Sequence, residues 1–398
     1  MTTIRITDLQ DRQARSESFH GGSLRVLSRS GLHPAEALLL NQLPRLPAAS
    51  ADLLIAGNRT GATALAAAAL HPACRIVCHA FDLHHVRALL RNLTANGLAP
   101  AFLHDPFAIP PEDLAARGAD GALRVACTSA VPAGPYGAAL FMATPGTMSG
   151  ELILDQLEDI HANLAEGAPC VIACEAESGP LLKHIKALFG NLSVHVDRKG
   201  LFCATSVRRG AAEKRRKFEA AFEASLPGCE PLTLRSLPGV FCHRRPDAGG
   251  LALAEVAARH MKPGSRLLDL GCGCGLVGLL LARHSPGARV CFVDAHARAL
   301  AATHLNLEAL GLPGHDLRLS DTGTAETGFD LFAGNPPYYS DFRIAQLFID
   351  TAYRALRPEG LCLLVAKAAD KLQRLQAARF GNAETFPRRG YGVVLSTR

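Results

Sequence analysis

Leu267-Leu268-Asp269-Leu270-Gly271-Cys272-Gly273-Cys274-Gly275 is the stretch whose reading decides the fold. Its first half is apolar, as a buried strand is, and its second half alternates glycine with small thiols. A strand over Arg266–Leu270 therefore runs into a sharp turn, and the apolar residues Leu276–Arg283 open a helix directly after it. Glycines suit such a turn because the backbone can bend tightly and approach a ligand with no Cβ in the way. The free N–H groups at the start of the helix suit a carboxylate or a phosphate. A shifted frame, Gly273-Cys-Gly275-Leu-Val-Gly278, spells the dinucleotide fingerprint G-x-G-x-x-G, but it leaves Asp269 without a role.

Outward from this loop the pattern alternates. A helix over Leu251–His260 precedes it. After it come a strand Arg289–Val293 ending in Asp294, a helix Arg298–Leu310, strands at Leu317–Leu319 and Asp330–Ala333, a helix Asp341–Leu356 and a strand Gly360–Ala366. Strand and helix in alternation predict an α/β fold, a parallel sheet covered on both faces.

The first half repeats the pattern. Placing Leu53 opposite Leu267, an offset of 214 residues, gives an ungapped match through Leu98 opposite Leu312. Roughly a quarter of the paired positions are identical, including Gly57 with Gly271, Gly61 with Gly275 and Asn92 with Asn306. The halves differ where chemistry would sit: Asp269 faces Ile55, Gly273 faces Arg59 and Asp294 faces Ala80. Thr144-Pro145 in the first half answers to Asn335-Pro336 in the second. The expected organisation is a degenerate copy over 1–207, a basic linker helix within 208–230 and an intact copy over 231–398.

Composition narrows the function classes. At 398 residues, 48% hydrophobic and 20% charged, the chain has material for two full-sized cores and is not a disordered polymer. No apolar run approaches the roughly 18–20 residues that cross a bilayer, and Met1–Arg12 lacks the apolar stretch of a secretory signal, so a cytoplasmic protein with no membrane partner is expected. Twelve cysteines include no C-x-x-C. Cys74/Cys78 and Cys170/Cys174 fall in strand-like runs, where residues four apart lie about 13 Å from each other, too far to share a metal ion. Buried thiols and no metal site are the expectation. The net charge of +6 permits a polyanionic partner without demanding one. The densest basic run, Arg208-Arg209 with Lys214-Arg215-Arg216-Lys217, opens a helical stretch Ala211–Ala224 that reads either as a solvated linker or as a phosphate contact.

Asn335-Pro336-Pro337-Tyr338 follows a strand at the carboxyl edge, where open α/β sheets bind ligands. Two prolines hold this loop rigid. The Asn335 carboxamide oxygen and the Pro336 carbonyl could then accept both hydrogens of a planar exocyclic amine and turn its lone pair toward an electrophile. Tyr338 offers a face on which a base can stack. Asp294, at the neighbouring strand end, could accept hydrogen bonds from ribose hydroxyls.

In this order and spacing, Asp269-Leu-Gly-Cys-Gly273, Asp294 and Asn335-Pro-Pro-Tyr338 resemble the class I S-adenosylmethionine-dependent methyltransferases that act on planar nitrogens. The degenerate copy followed by an intact one resembles the RsmC/RlmG-type ribosomal RNA guanine-N2 methyltransferases, as does the segment Gly239-Val-Phe241 followed by Asp247-Ala-Gly249. The resemblance implies two tandem Rossmann-like domains, S-adenosylmethionine as cofactor and ribosomal RNA as partner. It further implies that Asp269 and the loop residues Gly271, Gly273 and Gly275 hold the methionine part of the donor, that Asp294 takes the ribose, and that Phe241 and Asp247 lie over donor and target. Asp321 would sit near the adenine amine or cap a turn. N-P-P-Y also occurs in glutamine and adenine-N6 methyltransferases, which leaves those targets, or a non-catalytic assembly factor, as alternatives.

Overall fold

The computed structural model describes residues 32–46, 52–57, 60–145, 148–175, 179–198, 200–210, 216–337 and 343–398. It also gives the backbone of three strands, Thr3–Arg5, Ala14–Phe19 and Gly22–Leu27. The chain divides into two compact units, Met1–Asp105 with Glu112–Phe218, and Pro106–Pro111 with Glu219–Arg398.

The second unit is built on a seven-stranded sheet. From edge to edge its strands are Asp316–Leu319, Arg289–Asp294, Arg266–Leu270, Phe329–Gly334, Leu356–Ala366, Tyr391–Thr397 and Glu384–Arg388. The first five run parallel, and the last two add antiparallel. Arg266–Leu270 sits between Arg289–Asp294 and Phe329–Gly334, so the chain order reverses on either side of it and a crevice opens at its carboxyl end. Leu268, Leu270, Val293, Phe332 and Leu364 pack on one face of the sheet with Phe348 and Ile349 of the helix Arg343–Ala355. Burial on both faces explains why these strands read as continuous apolar runs.

The first unit repeats the plan in an eight-stranded sheet ordered Ser193–Arg198, Leu201–Val207, Pro169–Cys174, Ala138–Ala143, Leu53–Ala56, Ile76–Ala80, Leu123–Cys127 and Ala101–His104. The added strand is Leu123–Cys127, which separates Ile76–Ala80 from the edge. The two glycine-loop helices, Ala62–Leu70 and Leu276–His284, begin after Gly61 and Gly275, and both glycines are left-handed, with φ of 85° and 84°. The internal repeat is thus one α/β design used twice.

One expectation is overturned. The helical stretch read over Ala211–Ala224 is not a helix at its end: Ala220–Ala224 is a strand, paired antiparallel with Leu232–Ser236 from Ala220↔Ser236 to Ala224↔Leu232. Residues 211–215 lie outside the described residues. The pairing wins because Leu232, Leu234 and Ser236 are buried while Thr233 and Arg235 are exposed, a period of two that a helix cannot satisfy. The basic run is also partly tied down. Arg208 donates to the Leu164 carbonyl, Gly210 N–H bonds the Glu166 carboxylate, and Arg216 N–H bonds Glu158 at 2.9 Å.

All twelve cysteines are free thiols, most of them buried. Among the described residues no helix is long and apolar enough to cross a membrane.

Candidate active site

Asp269 lies in the buried run of the strand Arg266–Leu270, one residue before its end, and is itself only 2% exposed. Its Oδ2 accepts the Gly278 N–H at 2.9 Å, nine residues on and inside the following helix. Burial pushes its carboxyl up to about 7; the Gly278 bond opposes that rise and the nearby Asp294 charge adds to it. The carboxylate therefore braces the strand-to-helix turn from beneath through this oxygen. Gly278 makes this possible. A Cβ there would lie 2.3 Å from Phe292 Cε1 and 2.9 Å from Asp269 Oδ2. The shifted G-x-G-x-x-G frame is thereby explained as a packing requirement beneath the loop.

The loop is also held from the other side. Thr303 Oγ1 donates to the Gly273 carbonyl at 3.0 Å, and Asn306 Nδ2 donates to the carbonyls of Cys274 and Arg235, each at 2.9 Å. The Arg235 N–H returns a bond to Asn306 Oδ1 at 2.7 Å, which ties the Leu232–Ser236 strand to the loop. Both side chains are fully buried on the helix Ala297–Leu310. Sequence reasoning singled out neither as functional. The identity of Asn306 with Asn92 across the repeat was the available signal, since Asn92 Nδ2 makes the same bond to the Thr60 carbonyl.

Gly271, Gly273 and Gly275 adopt φ of 71°, 58° and 84°, a left-handed backbone that favours glycine. Asp294 accepts the Gly273 N–H at 3.0 Å through Oδ2 and the His296 N–H at 2.9 Å through Oδ1. A carboxylate oxygen can accept more than one donor, so these bonds leave room for a hydroxyl. Val240 lies over the loop, 3.9 Å from where a Gly273 Cβ would stand, and the next residue, Phe241, is 71% exposed, an open aromatic face beside the loop. Ser320 N–H bonds the Asp294 carbonyl at 2.9 Å, which sets Asp321 just past the same sheet edge; the turn there is held by Ser320 Oγ accepting Thr322 N–H.

Cys272 and Cys274 are buried under this loop. Burial first, then the charges of Asp294 and Asp269, raises the Cys272 thiol well above its ordinary range, so it is no nucleophile.

Asn335 follows Phe329–Gly334 and meets Asp247, 88 residues earlier: its Nδ2 donates to Asp247 Oδ2 at 2.7 Å. Asp247 is the N-cap of the helix Ala248–Ala257, and the same Oδ2 accepts Gly250 N–H at 2.6 Å. This explains why that helix starts before the Leu251 at which the apolar pattern begins. Pro336 and Pro337 continue the loop, and Tyr338 lies outside the described residues. A second aromatic group, which the sequence reading did not single out, stands at this edge. Tyr391 Cε1 is 3.2 Å from where a Gly249 Cβ would lie, and Lys367 Nζ is 5.5 Å from the Tyr391 ring centroid.

The structure therefore brings Asp247, the glycine loop, Asp294 and Asn335 to one carboxyl edge of one sheet. The methyltransferase small domain family matches residues 231–395, which span this whole site.

Residues 231–395 thus resemble a methyltransferase small domain.

Known relatives agree with that assignment. The ribosomal RNA small subunit methyltransferase C of Pseudomonas putida is 33% identical over 189 residues, covering 46% of this chain and 54% of the relative. The protein of the same name from Salmonella paratyphi A is 29% identical over 251 residues, 61% of this chain and 70% of that one. The match to the first of these thus spans about half of its length. Among solved structures, the T. thermophilus 16S rRNA N2 G1207 methyltransferase (RsmC), in complex with AdoMet and guanosine, superposes with a TM-score of 0.70 at 22% identity. It covers 97% of this chain and 98% of its own, so both copies share that protein's fold. Within residues 231–395 the two sides of the crevice differ in chemistry. Beside the glycine loop Asp294 offers a carboxylate, whereas Asn335 and the Pro336 carbonyl offer neutral acceptors.

Proposed function

We propose that this chain transfers a methyl group from S-adenosylmethionine to the exocyclic N2 of a guanine in small-subunit ribosomal RNA. The observation that carries the reading is the meeting of Asn335, oriented by a hydrogen bond, with the glycine loop and Asp294 at a single sheet edge.

The residues fit the donor. The left-handed glycines let the loop backbone approach a ligand with no Cβ in the way, Asp294 can accept from ribose hydroxyls, and Asp321 lies next along the edge toward an adenine amine. The exposed Phe241 covers an apolar stretch of ligand. When bound, S-adenosylmethionine supplies an electrophilic methyl group on a positively charged sulfur. On the protein side, Asn335 Oδ1 and the Pro336 carbonyl accept the two hydrogens of the guanine amine and hold its lone pair in line with the methyl carbon. As the N–C bond forms and the C–S bond breaks, positive charge grows on the nitrogen, and these two acceptors stabilise it most at that moment. The proton becomes acidic only then and leaves to water, so a strong base is not required. Tyr391 supplies a face for the base at the same edge, in addition to the expected Tyr338.

The N-terminal copy, residues 1–207 in the sequence reading, serves in this proposal as the RNA-docking half of a cytoplasmic enzyme. Arg209, Arg216 and Lys217 are exposed and available to phosphates, whereas Arg208 is engaged with the Leu164 carbonyl. Exposed Arg244 and Arg245 precede Asp247 at the site itself.

The test is methyl transfer from labelled S-adenosylmethionine to small ribosomal subunits, or their RNA, taken from cells lacking this chain. Nucleoside mass analysis should find the label in N2-methylguanosine. Label in N6-methyladenosine or in glutamine, with none in guanosine, would refute the reading.

A further inference from the structure

We infer that Asp247 is a positioning residue: it selects which face of the Asn335 carboxamide meets the target amine, and this deepens the function proposed above. An asparagine amide is nearly symmetric in shape, with a donor nitrogen and an acceptor oxygen that interchange on a half-turn. In a rigid loop between Gly334 and Pro336, nothing in the backbone distinguishes the two orientations. A carboxylate distinguishes them completely, because when ionised it only accepts. With Asp247 Oδ2 at 2.7 Å, the NH2 of Asn335 faces Asp247, which leaves its Oδ1 on the other side of the amide to accept from the incoming amine of the proposed reaction. The flipped amide would present its own N–H groups to the guanine amine, donor against donor, and would oppose the positive charge that develops there.

The carboxylate is itself held from both ends. Oδ2 accepts Gly250 N–H at 2.6 Å as the N-cap of the helix Ala248–Ala257, and Oδ1 takes the Cys242 thiol at 3.8 Å. Gly249 leaves room for the pair. A Cβ at that position would lie 3.2 Å from Asp247 Oδ2 and 3.4 Å from Asn335 Nδ2, tighter than side chains normally pack. The chain thus spends one turn, one helix cap and one glycine on aiming a single amide.

The experiment is a double-mutant cycle on the full chain. Serine also caps helices but is too short to reach Asn335, so Asp247→Ser keeps the cap and removes the orienting bond. It should lower kcat about 10- to 100-fold, the usual worth of a hydrogen bond to a charged group. The affinity for S-adenosylmethionine, measured by calorimetry, should change far less. Asp247→Asn should recover most of the loss, because Gly250 N–H selects its oxygen and leaves that oxygen as the acceptor for Asn335. Introduced into an Asn335→Ala background, Asp247→Ser should have little further effect, since its action runs through the missing amide. An equal loss of kcat in both backgrounds, or a kcat unchanged by Asp247→Ser in the wild-type background, would overturn the inference. Failure of the parent reading looks different: the unmodified chain would leave the guanine amine unmethylated.

Discussion

The two glycine loops of this molecule are built to one plan and differ in where their carboxylate comes from. In the C-terminal copy Asp269 rises from the strand beneath the loop and bonds the backbone of the helix Leu276–His284. In the N-terminal copy that strand position is the buried Ile55, and Gly278 is matched by the buried Ala64. A carboxylate is nevertheless present. Glu36, fully buried on the helix Pro34–Gln42, accepts from Thr60 Oγ1 at 2.9 Å and from the N–H and hydroxyl of Thr63, both at 3.4 Å. Under the 214-residue offset, Glu36 stands where the C-terminal copy has Gly250. There a Cβ would already lie 3.1 Å from Leu276 Cδ2.

The helix start thus keeps a carboxyl group as partner for its N–H groups in both copies. What the first copy lacks are the groups that would read a donor and a target. Asp294 becomes Ala80, Asn335 becomes Thr144, and Asp247 becomes His33, a residue that still caps its helix through Nδ1. An acid in a glycine-loop motif can thus act as scaffolding: Asp269 bonds the helix backbone from beneath, while Asp294, one strand over, bonds the loop at Gly273.

The largest test of that division is Asn335→Ala. Loss of one acceptor used mainly in the transition state should cut the methyl-transfer rate about 100- to 1000-fold with donor affinity nearly unchanged, as single-turnover kinetics at saturating donor would show. Next in size is Asp294→Ala, which should weaken S-adenosylmethionine binding about 10- to 100-fold and leave turnover recoverable at high donor concentration. Calorimetry on the unmodified chain should also give one donor site. A second saturable site would break the comparison, because the first copy would then bind the donor with Ala80 and Thr144 in place of Asp294 and Asn335.

Gly278→Ala sharpens the structural side. The new methyl group meets Phe292 and Asp269, so thermal or chaotrope unfolding should register a loss of about 1–3 kcal/mol. The mirror change, Ala64→Gly, should cost about 1 kcal/mol, the ordinary helix penalty of glycine. A further effect concerns pH. Burial raises Glu36 from 4.5 to about 7, so between those values the folded chain holds a proton that the unfolded chain has released. Stability should therefore fall as pH rises through that window, by at most about 1.4 kcal/mol per pH unit from this group. Asp269, also raised to about 7, contributes with the same sign. Glu36→Gln should flatten the slope of melting temperature against pH, and an unaltered slope would show that Glu36 does not carry it.

The sequence by itself determined the α/β design and its duplication. Apolar runs bounded by glycine, and an ungapped offset, are local signals that the strands Leu53–Ala56 and Arg266–Leu270 reproduce. It also made Asp294 and Asn335 legible, because both stand at ends of strands in a parallel sheet and such ends share an edge. It misread Ala220–Ala224, where charge and helix-forming residues outweighed a two-residue period that only pairing with Leu232–Ser236 makes decisive. The roles of Asp269, Glu36, Thr303 and Asn306 were out of reach, since a buried carboxylate or amide is defined by what it touches. Tertiary structure alone decided the bond between Asp247 and Asn335. Those residues are 88 positions apart, and no local pattern records which of two nearly identical amide faces a distant carboxylate will choose.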